Sequence, residues 1–263
     1  MTMEPDMSAP NMQDVVSSFR PDLFEGKHVL VSGGSSGIGL AMAQGFSALG
    51  ASVTATGSSE AKLAALRDNP GLSKIKFACL DVRDRVAVPA FIKALPALDV
   101  LINAQGTARA HIEYDEDTFL EVMDINLNSA MRLAMAGREH LVKSRGVILN
   151  ISSMLSYLAD ENVPAYGASK TGILGLTRAL AHKLGRDGVR VNAIAPGYHK
   201  TAMTQDLWSV PDTAAKIANR SALKRWGSVE DLVGTALFLA SPAAAFITAV
   251  SLPVDGGYVV GGF

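Results

Sequence analysis

Seven short runs rich in β-branched and apolar residues recur along the chain, at 27–32 (KHVLVS), 52–57 (SVTATG), 74–80 (KIKFACL), 98–103 (LDVLIN), 146–152 (GVILNIS), 189–195 (VRVNAIA) and 249–255 (AVSLPVD). Each of the first six is followed by a helical pattern, near 38–49, 59–68, 84–94, 116–143, 165–185 and 228–240. A strand that returns through a helix to a parallel neighbour does so by a right-handed crossover, and the resulting sheet is covered on both faces. The alternation therefore predicts an α/β fold: one doubly wound parallel sheet of about seven strands with helices on both faces. With 263 residues, 48% of them hydrophobic, the chain can bury a sizeable core as a single domain. No internal repeat, low-complexity tract or interdomain linker interrupts it.

Charge narrows the partners. The formal net charge is −1 and Lys and Arg do not cluster, which argues against a nucleic-acid or anionic membrane surface and for a small-molecule ligand. The single cysteine, Cys79, lies in the apolar run IKFACL, so it is expected to be a buried thiol in a reducing compartment, with no internal disulfide. Residues 1–23 carry acids and prolines where a signal peptide needs a basic start and an apolar stretch. They are expected to form a loosely ordered extension ending near Phe24, with the folded domain spanning 24–263. No run is long and apolar enough to suggest a membrane span, and a cytoplasmic protein is expected. No metal site is expected.

In open parallel sheets ligands bind outside the carboxyl ends of the strands, so the strand-to-helix turns carry the functional signal. The first turn is SGGSSGIG, Ser32 to Gly39. Gly33, Gly37 and Gly39 let backbone amides, with those of Ser35, Ser36 and Ile38, approach a pyrophosphate at the positive end of a helix. The third strand ends at Asp81, whose carboxylate suits an adenine amino group or, equally, a helix N-cap. The fourth ends at Asn103, with Gly106 in the turn beyond; Asn103 either faces a ligand or ties its own turn together. Tyr166 and Lys170 stand four residues apart, sharing one face if a helix begins near Ala165. A phenol titrates near ~10, and a nearby ammonium lowers that value, which makes Tyr166 a candidate general acid/base. The preceding strand delivers Ser152 and Ser153 to the same sheet edge.

From about Phe24 to Tyr258 the chain resembles the short-chain dehydrogenase/reductases, through SGGSSGIG, LDV, NAQG, INL, NISS, YGASK, NAIAPG and VDGG in that order. The resemblance implies a Rossmann-type domain that binds NAD or NADP, usually assembled as a homotetramer. It implies that Tyr166 exchanges a proton with the substrate, Lys170 binds the nicotinamide ribose and lowers the tyrosine pKa, and Ser153 holds the substrate oxygen. It makes Asn126 the anchor of a proton-relaying water. Further cofactor contacts are implied at Asp81, Val82, Asn103, Gly106, Ile194, Pro196, Gly197 and Thr201. Two departures stand out. NAQG replaces the family's NNAG, so Gln105 is expected to reshape the wall near the nicotinamide, and Thr248-Ala249 replaces a TG pair, which is expected to affect packing more than chemistry.

Cofactor choice rests on the end of the second strand, Gly57-Ser58-Ser59, which carries neither an acid for a ribose diol nor an arginine for a 2′-phosphate. With Ser58, Ser59 and Lys62 as donors the balance tips slightly to NADP. The stretches around YGASK, NAIAPGY and LKRWGSVEDL look most like the branch of gluconate 5-dehydrogenases and 2-dehydro-3-deoxy-gluconate dehydrogenases. A sugar acid needs a carboxylate partner: Arg109 and His111 in TARAHIEY, or Tyr198, His199 and Lys200 after Pro196. Residues 201–221 occupy the position of a substrate-covering lid, with Met203, Leu207 and Trp208 apolar enough to close over a ligand. A 3-oxoacyl-thioester reductase would share every catalytic residue; a non-catalytic nucleotide sensor would have no chemical need for all four. The C-terminal VDGGYVVGGF reads as a closing turn with a frayed end or as a contact to a neighbouring subunit.

Overall fold

The computed structural model describes residues 9–261. Its seven strands are β1 (His28–Ser32), β2 (Ser52–Gly57), β3 (Ile75–Cys79), β4 (Val100–Asn103), β5 (Val147–Ile151), β6 (Arg190–Pro196) and β7 (Ser251–Val254), in the order β3-β2-β1-β4-β5-β6-β7. Every pairing is parallel. The central strands read as continuous apolar runs because both their faces are covered: every residue of β4 and β5 is buried.

Side chains alternate between two cores. Val29, Val31, Val100, Ile102, Val147 and Leu149 pack on one face with α2 (Gly37–Ala48), α3 (Glu60–Arg67) and α11 (Val233–Ala240). Leu30, Leu101 and Ile148 pack on the other with α4 (Ala87–Lys93), α6 (Ser129–Ala136), α7 (Arg138–Ser144) and α8 (Pro164–Gly185). Phe46 and Met42 are fully buried in the first core, Leu133 and Ile92 in the second.

Three expectations are corrected. Between residues 11 and 24 the chain is not a loose extension. Met12–Ser17 forms a helix, α1, closed by a capping box between Asn11 and Asp14, and it contacts α2 and α11. Val16 and Phe24 are buried, and Phe24 packs on Phe46 at a centroid distance of 4.7 Å, so two apolar side chains tie the segment down. Cys79 is exposed, because β3 is an edge strand and its last residue runs past the apolar cover that hides Ile75 and Phe77. The single helix expected over 116–143 is broken into α5 (Glu116–Met123), a π turn at Asp124–Asn128, then α6 and α7. The terminal turn is packed as far as Tyr258, which is buried, with Asp255 accepting from the amides of Gly257 and Val259.

Ala249 takes a φ of 65°, the left-handed region that an alanine enters at a cost. This is the position where the resembled family carries glycine, so the departure stores strain just before β7. Ala249→Gly is expected to raise the unfolding free energy by about 0.5 to 1 kcal/mol, read by urea denaturation. A loss of stability on that substitution would contradict the strain.

Candidate active site

Register places the chemistry. Ser32 aligns with Asn103, Asn103 with Asn150, and Asn150 with Ala193, so the turns after β1, β4, β5 and β6 leave the sheet side by side. At this sheet edge, against the turns after β1 to β4 and residues 201–203, lies a cleft of about 580 Å³. Gly33, Ser35, Ser36, Gly37, Ile38 and Gly39 form one wall. Gly33 has a φ of +76°, and a Cβ there would sit 2.5 Å from the Gln105 amide nitrogen. Only glycine permits this approach of the first turn to the fourth. A Cβ on Gly37 would point across the cleft to within 3.7 Å of the Thr201 methyl, so this side is kept open for something else to approach the backbone.

A second wall comes from β2 and β3. Gly57, Ser58, Ser59 and Lys62 line it, without a carboxylate at the strand end. Ser59 also caps α3. Asp81 and Val82 line the cleft as expected, but the carboxylate that accepts from amides ahead of α4, those of Val86 and Ala87 at 2.8 Å, is that of Asp84. Asp81 is instead held by Arg83, with the guanidinium 2.8 Å away, and this pairing depresses its pKa. Arg83, which the sequence reading passed over, lines the cleft too and approaches Glu121 at 3.6 Å; Arg109 reaches the same carboxylate at 3.5 Å. Thr56 Oγ1 and Gln105 Oε1 are cleft-side polar atoms, buried with no protein partner, which fits a polar ligand.

Beside the cleft stands α8, begun by Pro164. Tyr166 and Lys170 share a face, with the ammonium 5.6 Å from the ring centroid. Lys170 is 3% exposed and donates from Nζ to the Ile151 carbonyl at 2.8 Å. Burial pulls its pKa down to about 8, while burial and the charge of Glu113 raise that of Tyr166, opposed by the neighbouring Ser153 hydroxyl. In the protein alone burial therefore outweighs the expected lowering by the ammonium. Ser153 caps the turn after β5, its Oγ accepting from the Leu155 amide, and Ser152 is turned away, bonded to the Ile194 carbonyl. Lys170 meets the cleft at Gly106, where a Cβ would lie 3.4 Å from Nζ.

Asn126 reaches this point because of the π turn, a one-residue insertion that rotates its side chain inward. Its Nδ2 donates to the Thr107 carbonyl and to Ser169 Oγ, and its Oδ1 accepts from the Thr107 amide at 2.8 Å. The side chain thus braces the loop after β4 against α8. Gln105 supports the same turn, donating to Ser129 Oγ, which donates to the Ile125 carbonyl.

Several expected residues lie elsewhere. Asn103 is a buried tie between strands, donating to Asn150, which donates to Thr177; it does not line the cleft. Ile194 and Pro196 are buried in β6, and Gly197 backs onto Asp255. Tyr198 packs between Trp226 and Tyr258 at 5.4 and 5.1 Å, and burial pushes its phenol up to about 12. His199 is buried against the Gly197 carbonyl; Lys200 and His111 are exposed, and His111 does not line the cleft. Thr201, Ala202 and Met203 do line it, at the start of a segment continuing through α9 (Gln205–Trp208) and α10 (Pro211–Arg220), neither of which buries a residue. Glu113 was not singled out from sequence and is fully buried. Among the described residues, no group of three or more His, Cys, Asp or Glu side chains could hold a metal ion.

Residues 33–259 match the family described as enoyl-(acyl carrier protein) reductase. The chain is 36% identical over 252 residues to gluconate 5-dehydrogenase of Gluconobacter oxydans, covering 91% of this chain and 98% of that protein. It is 38% identical over 246 residues to 2-dehydro-3-deoxy-D-gluconate 5-dehydrogenase of Pseudoalteromonas atlantica, covering 89% and 96%. A crystal structure of a gluconate 5-dehydrogenase from Burkholderia cenocepacia, in complex with NADP and tartrate, superposes with a TM-score of 0.85 at 29% identity over 92% of this chain and 98% of that one. A glycine cradle, a Tyr–Lys pair beside a serine, and relatives matched nearly end to end have one reading: the chain belongs to the short-chain dehydrogenase/reductases.

Proposed function

We propose that the chain is an NADP-linked dehydrogenase, or reductase in the reverse direction, acting on a secondary alcohol of a sugar acid. One observation carries the reading: Gly106 lines the same cleft as the glycine cradle, and a Cβ on it would lie 3.4 Å from Nζ of the buried Lys170, which stands 5.6 Å from the Tyr166 ring. The cradle fits a pyrophosphate, and Gly33, Ser35, Ser36, Gly37, Ile38 and Gly39 would hold it, with Asp81, Val82, Gly106 and Thr201 along the cleft. A nicotinamide dinucleotide supplies the hydride acceptor or donor. Tyr166 moves the proton at its phenol oxygen, Ser153 orients the substrate oxygen, and Lys170 sets the charge beside both. Asn126 holds the loop that closes this group.

NADP is favoured over NAD by Ser58, Ser59 and Lys62 at the end of β2, where no carboxylate repels a 2′-phosphate, and by relatives whose structures hold NADP. The sugar acid is favoured by Arg109, whose guanidinium lines the cleft, donates to Thr107 Oγ1 and shares Glu121 with Arg83. The sugar-acid names of the relatives point the same way. Met203 and Leu207 are exposed on the segment proposed to close over the substrate. A cytoplasmic location goes with this reading, supported by a free, exposed thiol at Cys79.

The same reading implies a homotetramer. Its support is apolar surface in two places: Leu120, Met131 and Met135 on α5 and α6, and Phe246, Val250 and Leu252 along the free edge of the sheet. Light scattering is expected to give four chain masses; a single chain mass at micromolar concentration would contradict it.

Nicotinamide absorbance followed with NAD or NADP against gluconate, other sugar acids, simple secondary alcohols and a 3-oxoacyl thioester tests the activity. The expected result is fastest turnover with NADP and a sugar acid, and a KM for that acid raised roughly tenfold or more in Arg109→Ala, with little change for an uncharged alcohol. Turnover confined to the thioester would replace the substrate class, and normal KM in Arg109→Ala would remove that residue from substrate binding.

A further inference from the structure

Glu113 sits in the loop between β4 and α5, completely buried, although carboxylates are rarely buried unless paired. Its compensation is unusual. Oε1 accepts from the backbone amide of Arg109 at 2.7 Å, and Oε2 accepts from the backbone amide of Tyr166 at 2.8 Å. Tyr166 is the third residue of α8, a helix of 22 residues whose first-turn amides lack partners within the helix and whose N-terminus carries positive potential. The residue ahead of α8, Val163, offers no side-chain cap, and Pro164 has no amide to cap. The cap comes instead from 53 residues upstream. The loop is bent to deliver it: His111 takes a φ of 71°, and its amide donates to the Asn162 carbonyl at 2.9 Å, just before the helix.

Resting on the function proposed above, we propose that Glu113 is a positioning residue that clasps the loop carrying Arg109 to the start of the helix carrying Tyr166 and Lys170. Substrate loop and acid/base group then hold one geometry. The chemistry of the clasp is specific. Both partners are N–H donors, so both oxygens must accept, which a carboxylate suits. A glutamine would set an amide NH₂ against a backbone N–H. An aspartate keeps the charge but is one methylene too short to span both amides. The carboxylate also contributes to the electrostatics of Tyr166, whose phenol is faced by Lys170 on its own helix, by the Ser153 hydroxyl from the turn after β5 and by Glu113 from the loop after β4.

Three readouts on the full chain test this, two of which need no turnover. Amide hydrogen exchange in Glu113→Gln is expected to quicken at Tyr166 and Arg109 by roughly tenfold or more, while the middle of α8 stays protected. Ultraviolet titration, taken as the difference from a Tyr166→Phe background, is expected to place the Tyr166 phenol lower in Glu113→Gln, because removing a nearby negative charge favours phenolate. Glu113→Asp is expected to show the faster amides with a titration close to the unaltered protein. With a turning-over substrate, kcat falls roughly tenfold in Glu113→Gln while NADP affinity is kept, since Glu113 does not line the cleft. Unchanged exchange and titration in both variants, even with a lower melting temperature, would overturn the proposal and leave Glu113 a packing residue. Absence of turnover in the unaltered protein would count against the proposed function alone, because exchange and titration still decide the clasp.

Discussion

An ammonium group taken out of water has to be given a partner, and the partner of Lys170 is the carbonyl at the end of β5. That bond ties α8 to the end of β5, beside the apolar packing of Leu180, Ala181 and Leu184, and Tyr166 stands one turn earlier. The rest of this corner follows. Gly106 brings the fourth turn close to the ammonium, a Cβ there lying 3.4 Å from Nζ, and the π turn adds the residue that lets Asn126 brace that turn. A pKa pulled down to about 8 shows that the group is held at a cost, which a structural lysine at the surface would not bear.

A polar seam runs through the middle of the sheet from this corner. Asn103, Asn150 and Thr177 are linked by hydrogen bonds across β4, β5 and α8, all of them buried. Such a ladder is satisfied only in one register, so it fixes the strands whose ends form the cleft. Two buried polar atoms without protein partners, Thr56 Oγ1 and Gln105 Oε1, belong to residues that line the cleft.

Much of this was legible in the residues. Period and spacing are enough for a parallel sheet, because fully covered strands read as unbroken apolar runs and their crossovers as helices. The glycine turn and the Tyr–Lys spacing are local signals, and the cleft and α8 use them where expected. What sequence reading missed has physical causes. A one-residue π insertion leaves an apolar pattern nearly unchanged, so 116–143 looked like one helix. Cys79 sits in an apolar run and Tyr198 in the polar stretch PGYHKT, but an edge strand exposes the first and an aromatic cluster captures the second. The N-terminal segment looked polar, yet Val16 and Phe24 suffice to dock it. Glu113 is one acid among several in its loop; its burial is set by a helix 53 residues away, which no local pattern reports.

The proposed function puts cofactor binding in the turns after β1 to β3 and proton transfer at Tyr166 on the adjoining helix. The most direct measurement is a pre-steady-state comparison of the unaltered protein with Tyr166→Phe, following NADPH binding by fluorescence and hydride transfer by absorbance in one mixing experiment. The account predicts binding unchanged within about twofold and hydride transfer slowed by roughly a hundredfold or more. Transfer at the normal rate in the phenylalanine variant, or loss of NADPH binding in a variant that still folds, would contradict it.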